Sequence, residues 1–256
     1  MDFAPGILPA FGLYLVRTSA LVIAAPLLGR GIGVSGYKIA LIFFLAFLLF
    51  AVTGEPLAAG TAPTHYALLV MREAMLGFFF AFLLQVAVLA ARVAGEIIGY
   101  EMGFNMSSVV DPVNGISTPL VAHIYEVFFF LSFLAMNGHH WLLRALEQSF
   151  ERAPVGSVKF SDSILVVAVE QFGQMFAAGL TFAAPVLTLL VLVSLLMGLL
   201  TRAVPQLNVL EFGFNLRIVV ALVAMLLFAP LFQPAVDGIC GHLMDGLEAG
   251  LAGLDS

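Results

Sequence analysis

The sequence predicts an all-α integral membrane protein with about six hydrophobic helical segments. Three observations lead there. Of 256 residues, 62% are hydrophobic and only 10% are charged, with a mean hydropathy of +1.09. A soluble domain carries about a quarter charged residues, so this chain lacks the polar surface to cover a soluble globule. Its apolar runs are long, rich in Leu, Phe, Ala and Val, and do not alternate, which favours helix over strand. Helices and closed barrels are also the structures that satisfy a backbone in hydrocarbon.

The first segment, about Phe3 to Gly29, holds Arg17 near its middle. Asp2 and the lack of a basic n-region argue against a cleaved signal peptide, so this segment is expected to stay. The second, Ile39 to Gly54, has 16 charge-free residues. As a helix it is roughly 24 Å long, short for a hydrocarbon core of about 30 Å. The third, Ala74 to Ala91, is long enough at 18 residues. The fourth, about Leu120 to Leu143, contains His123, Glu126 and the run Asn137-Gly138-His139-His140.

The fifth, Gln171 to Thr201, has 31 charge-free residues around Pro185. It is too long for one straight span. Proline removes a backbone donor, so Pro185 either kinks this segment or divides it into two half-length helices. The sixth, Ile218 to Val236, has 19 residues. One segment too short, one too long and two with internal charge predict helices packed on protein as much as on lipid. No repeat or separate soluble domain is visible.

Basic residues fall in the first loop (Arg30, Lys38), the third (Arg92) and the fifth (Arg202). The positive-inside rule then puts odd loops in the cytoplasm and both termini outside; Arg144, Arg152 and Lys159 in the fourth loop oppose this. Net charge is −6 and the ten Lys and Arg are scattered, which argues against nucleic-acid binding. Cys240 is the lone cysteine, so no internal disulfide forms.

Several motifs lose their force in context. Gly31, Gly33 and Gly36 spell G-x-G-x-x-G, but a dinucleotide site needs a flanking strand and apolar helices stand there instead. His139 and His140 are adjacent, so on a helix they point about 100° apart and poorly share a metal; a helix end with Asn137–Gly138 as its turn is the simpler reading. No H-E-x-x-H or G-x-S-x-G occurs. No catalysis, cofactor or metal is expected.

Other features point to packing. Gly95, Gly99 and Gly103 recur every four residues, a small-residue stripe that lets another backbone approach, in this chain or another. Arg92 and Glu96 at i,i+4 either pair or are solvated at a helix end. Arg17, Glu126, Glu211 and Arg217 are charges in or beside apolar segments; such groups face protein or water. Pairing is the reading preferred over a proton relay. Pro205 ends or bends the fifth helix, and Gln206 and Asn208 offer amides for hydrogen bonds across a subunit boundary.

Taken together, Gly95, Gly99, Met102 and Gly103, then Asp111–Pro112, then Asn137–Gly138–His139 with the following WLLRALEQSF, and finally PQLN at Pro205–Asn208, resemble the FliR family. That family supplies a flagellar subunit of the type III secretion export gate, and its virulence counterparts are similar. The resemblance implies residence in the bacterial inner membrane at the flagellar basal body. It implies assembly with FliP-like and FliQ-like subunits around a closed pore for unfolded flagellar proteins, with FlhB-like and FlhA-like components on the cytoplasmic side. It also implies one membrane domain in which about 1–163 is FliP-like and about 164–256 is a FliQ-like hairpin.

By the same resemblance the loop at about 104–119 plugs the pore, and its residues are suited to plugging. Asp111–Pro112 and Asn114–Gly115 turn the chain. Phe104, Met106, Val109 and Val110 close a narrow passage by apolar contact. The family often has larger rings where Met106 and Val109 stand. A reading from another class is an ion-coupled transporter using Arg17, Glu126 and the Pro185 break as a midplane site.

Overall fold

A computed structural model describes residues 6–26, 36–57, 62–104, 120–158, 162–203 and 209–253, without the side chains of 162–163 and 209–211. Among these residues the architecture is all helical. In chain order the α-helices are α1 (Ile7–Ala24), α2 (Gly36–Thr53), α3 (Pro63–Met102), α4 (Leu120–Ala135), α5 (Gly138–Arg152), α6 (Asp162–Ala203), α7 (Val209–Leu227) and α8 (Phe232–Ala252). A 3₁₀ turn at Ala229–Leu231 separates α7 from α8. By length and composition four helices can cross a membrane, or six if α4 with α5 and α7 with α8 each count as one broken span.

Helix lengths differ most from the sequence expectation where charges are paired. α3 has 40 residues, about 60 Å, where the apolar run suggests 18. Its charges Glu73 and Arg92 both find partners, so the helix runs through them. α6 is one unbroken helix of 42 residues with Pro185 inside. Pro185 therefore does not divide the segment into two helices; Ala183 and Val186 beside it are both buried, and packing holds the helix together across the missing donor. The fourth segment is two helices, split where Asn137 takes a left-handed conformation (φ 59°). The sixth is interrupted at Phe228, whose N–H still reaches Ala224 O at 2.8 Å before Pro230 forces the 3₁₀ turn.

Contacts divide the chain into two interleaved units: residues 1–86, 137–172 and 241–256, and residues 87–136 and 173–240. In lipid, apolar burial gives helices no net attraction for one another, so close packing must supply it. In the first unit α1 and α2 join through rings: Phe11 lies 5.6 Å from both Phe43 and Phe50, and Tyr14 lies 5.3 Å from Phe50. Gly77 lets α3 approach the backbone of α1 at Arg17 and Leu21. Gly246 and Gly250 bring α8 onto Gln171 and Phe79.

In the second unit, α6 meets α3 where Gly179 faces Ala90 O; a methyl at Gly179 would stand 2.6 Å from it. An aromatic cluster of Tyr125, Phe182 and Phe232, with centroids 4.8–5.1 Å apart, ties α4, α6 and α8.

Candidate functional site

Among the described residues the largest concentration of buried polarity lies in the first unit around Arg17. One turn of α1 buries Tyr14, Arg17 and Thr18, and the Arg17 side chain is fully enclosed. Arg17 Nε donates to Glu73 Oε2 at 2.6 Å. Nη1 donates to Ser149 O at 2.8 Å and Ser149 Oγ at 3.0 Å, and Nη2 to Ala153 O at 3.1 Å. These carbonyls close the C-terminal end of α5: Ser149 O also accepts from the Ala153 N–H at 3.1 Å, and Ala153 is the C-cap residue. Arg17 therefore caps α5 from a different helix.

The other oxygen of Glu73 completes the arrangement. Oε1 accepts from the Gly156 N–H at 3.2 Å, in a turn that Gly156 closes with φ +88°. The neighbouring Arg72 donates Nη1 to Val158 O at 3.4 Å. The Arg17 guanidinium lies 4.1 Å over the Phe150 ring, and Phe150 stacks on Tyr14 at 4.1 Å and 7°. Tyr14 Oη donates onward to Thr53 O at 3.0 Å, the last residue of α2. One buried ion pair thus fixes α1, α3, α5, the turn after α5 and, through stacked rings, the end of α2.

The sequence marks Arg17 as a buried charge but does not single out its partner Glu73. The available signal is the Arg72–Glu73 doublet, which looks like the polar border of an apolar segment. With all three nitrogens bonded and no solvent access, Arg17 is committed to joining α1, α3 and α5.

The glycine-striped end of α3 belongs to the second unit. A methyl on Gly95 would stand 2.5 Å from Ala122 Cα and 2.8 Å from Val121 O, so the backbone that approaches this glycine is the chain's own α4. Gly99 is less crowded, with Val121 Cβ at 3.7 Å. Gly103 ends the helix with φ +84°. Its N–H bonds Tyr100 O at 3.0 Å and the Phe104 N–H bonds Gly99 O at 3.2 Å, the paired bonds of a Schellman cap. The Phe214 ring packs over Gly103, 3.1 Å from where a Cβ would be. Phe104 is therefore delivered in a fixed direction. Met106, Val109, Val110, Asp111 and Pro112 lie outside the described residues, as do Pro205, Gln206 and Asn208.

Of the remaining charges, Glu126 is buried on α4 with His123 Nδ1 3.6 Å from its Oε2. Arg92 and Glu96 pair at 2.9 Å while both stay over a third exposed. Arg217 is half-buried on α7; Glu211 lies on α7 with its side chain outside the described set. The His139 and His140 rings lie 4.2 Å apart, tilted by 37°, at the start of α5. Among the described residues no three metal-binding side chains gather.

Comparison with known proteins agrees with this architecture. Residues 8–243 match the family described as bacterial export proteins, family 1. The chain is 32% identical over 232 residues to the flagellar biosynthetic protein FliR of Escherichia coli (strain K12), covering 90% of this chain and 86% of that protein. It is 32% identical over 221 residues to FliR of Bacillus subtilis (strain 168), 85% of each. It is 27% identical over 207 residues to the surface presentation of antigens protein SpaR of Shigella sonnei, 80% of this chain and 79% of that protein.

Proposed function

The chain belongs to the bacterial export proteins, family 1, and from that membership we propose that it is a non-catalytic subunit of a flagellar type III export gate. It lies in the inner membrane at the flagellar basal body. With FliP-like and FliQ-like subunits it forms a closed pore for unfolded flagellar proteins; FlhB-like and FlhA-like components serve the cytoplasmic side. The flagellar reading is preferred over a virulence one because FliR of Escherichia coli and of Bacillus subtilis, each 32% identical, are more similar to this chain than SpaR at 27%.

The observation that carries the proposal is uncovered apolar surface on helices that do not match a bilayer. α6 is about 63 Å long, twice a hydrocarbon core, yet Leu195 and Leu199 are 62% and 65% exposed. Helices that overshoot lipid while keeping apolar faces open call for protein neighbours.

In this reading about 1–163 acts as the FliP-like part, and about 164–256, with α6 and α7, as the FliQ-like hairpin. The Schellman cap at Gly103 supports a plug at about 104–119, because it launches Phe104 from a rigid helix end. Gly95, Gly99 and Gly103 serve assembly by holding α4 and α7 close to α3, leaving the outer sides of those helices to partners. Pro205, Gln206 and Asn208 form a subunit-contact turn.

The test is a mild-detergent pull-down of the tagged chain from native membranes, with the mass of the intact complex. Recovery in one large complex with FliP-like and FliQ-like chains is expected. Recovery alone or as a homo-oligomer would overturn the proposal.

A further inference from the structure

Arg217 differs from Arg17 and Arg92. Arg17 meets Glu73 and Arg92 meets Glu96. Arg217 meets no carboxylate among the described residues, and its Nε is enclosed without an acceptor. Guanidinium stays charged under all ordinary conditions, so burial does not neutralise it.

Its position on α7 says which way it faces. Gly213 and Ala221 are one turn before and after it, and Ala224 follows one turn beyond Ala221, so all lie on its face; all three are buried. The opposite side carries Val219, Leu222 and Leu226, which are exposed. Arg217 thus rises from the seam where α7 packs on its own unit. Small neighbours leave room for the guanidinium, enclosed at Nε and accessible beyond. It lies about 12 Å from the first residue of α7, followed by the uncharged run Ile218–Leu227. Charges at such positions pair with protein groups rather than face lipid.

We infer that Arg217 receives a carboxylate from an otherwise apolar helix of a partner chain, packed along the edge of α7. This rests on the proposed gate function and gives its interface a chemistry: one buried, charge-assisted contact within apolar packing. Arginine suits it because its planar fork can grip both carboxylate oxygens.

The experiment uses the full chain in native membranes with its partner genes present. The ratio of co-purified partner chains to tagged chain is measured by quantitative mass spectrometry and normalised to the chain in the membrane. Arg217→Leu should lower the ratio at least about tenfold, because removing one member of a buried interfacial pair costs well over a factor of ten. If Arg217→Leu lowers the level of the chain itself, Arg217→Gln decides, with the same expectation. Motile revertants of Arg217→Glu should change an acidic residue of a partner helix to Lys or Arg.

A ratio within about twofold of wild type would overturn the inference. Revertants at this chain's own Asp111 or Glu211 would also overturn it, in favour of an internal pair. Loss of bound anionic lipid in native mass spectrometry with an unchanged ratio would overturn it in favour of a lipid phosphate. Absence of partner chains from the wild-type pull-down would overturn the gate function as well, which separates the two failures.

Discussion

Arg17 Nε and Glu73 Oε2 meet at 2.6 Å, and neither side chain has any exposed surface. The energetics of that pair are dominated by what remains when one member is removed. Glu73→Leu or Arg17→Leu should each destabilise the chain by about 3–5 kcal/mol, because each strands a buried charge or its hydrogen-bond partners. The double replacement Arg17→Leu with Glu73→Leu should recover part of this, since neither member of the pair is then left as an unanswered charge. It should not recover all, because Ala153 O and the Gly156 N–H lose their partners, about 1–3 kcal/mol for each buried group. Thermal unfolding of the four chains in detergent, read as a double-mutant cycle, checks this; additive losses would mean the pair is not coupled.

Gly95 and Gly99 look alike in sequence but should respond differently to alanine. The methyl of Gly95→Ala collides with the backbone at Ala122 and Val121, which cannot rotate away as a side chain can. A loss of about 1–3 kcal/mol is expected. Gly99→Ala meets Val121 at ordinary contact distance and should be neutral or stabilising by up to about 1 kcal/mol from helix propensity. Comparing melting temperatures of the two variants decides it.

Asn137 holds φ 59° between α4 and α5. Asn137→Gly should keep stability, while Asn137→Val should cost about 1–2 kcal/mol because a β-branched residue resists the left-handed region. Proteolysis of the α4–α5 junction in the purified chain measures the difference.

Deleting Asp111–Ser117 should raise small-ion leakage through the assembled gate, if the loop seals it by apolar contact. Conductance of reconstituted complexes would show it; unchanged leakage would remove the plug from this loop.

Replacing Gln206 and Asn208 together with Ala should weaken co-assembly while leaving the amount of chain in the membrane unchanged. Blue-native gels of the two complexes compare them directly, and normal assembly would exclude these amides from the contact.

The legible parts of this molecule are those governed by local composition. Arg17 stands out because a lone charge inside an apolar run must be answered somewhere. Gly95 and Gly99 stand out because their spacing matches a helix turn, and Asn137–Gly138 because those residues tolerate the turn they make. Glu73 does not, because its partner lies 56 positions away and a charged doublet at the edge of an apolar run reads as the membrane border. The lengths of α3 and α6 are hidden for the same reason. A charge ends an apolar run on paper but does not end α3, where Glu73 meets Arg17 and Arg92 meets Glu96, and Pro185 does not end α6, where its flanking residues are packed.

The interleaving of the two units bears on how the chain is made. The first unit needs residues 1–86, 137–172 and 241–256, and α8 seats Gly246 on Gln171 and Gly250 on Phe79. A ribosome releases α1 and α3 long before α8, so Phe79 waits uncovered through most of synthesis. Membrane insertion can begin early, but this unit closes only after α8 leaves the ribosome. A prematurely terminated chain would therefore reach the membrane with that seat open, a mark by which quality-control proteases could tell it from the finished product.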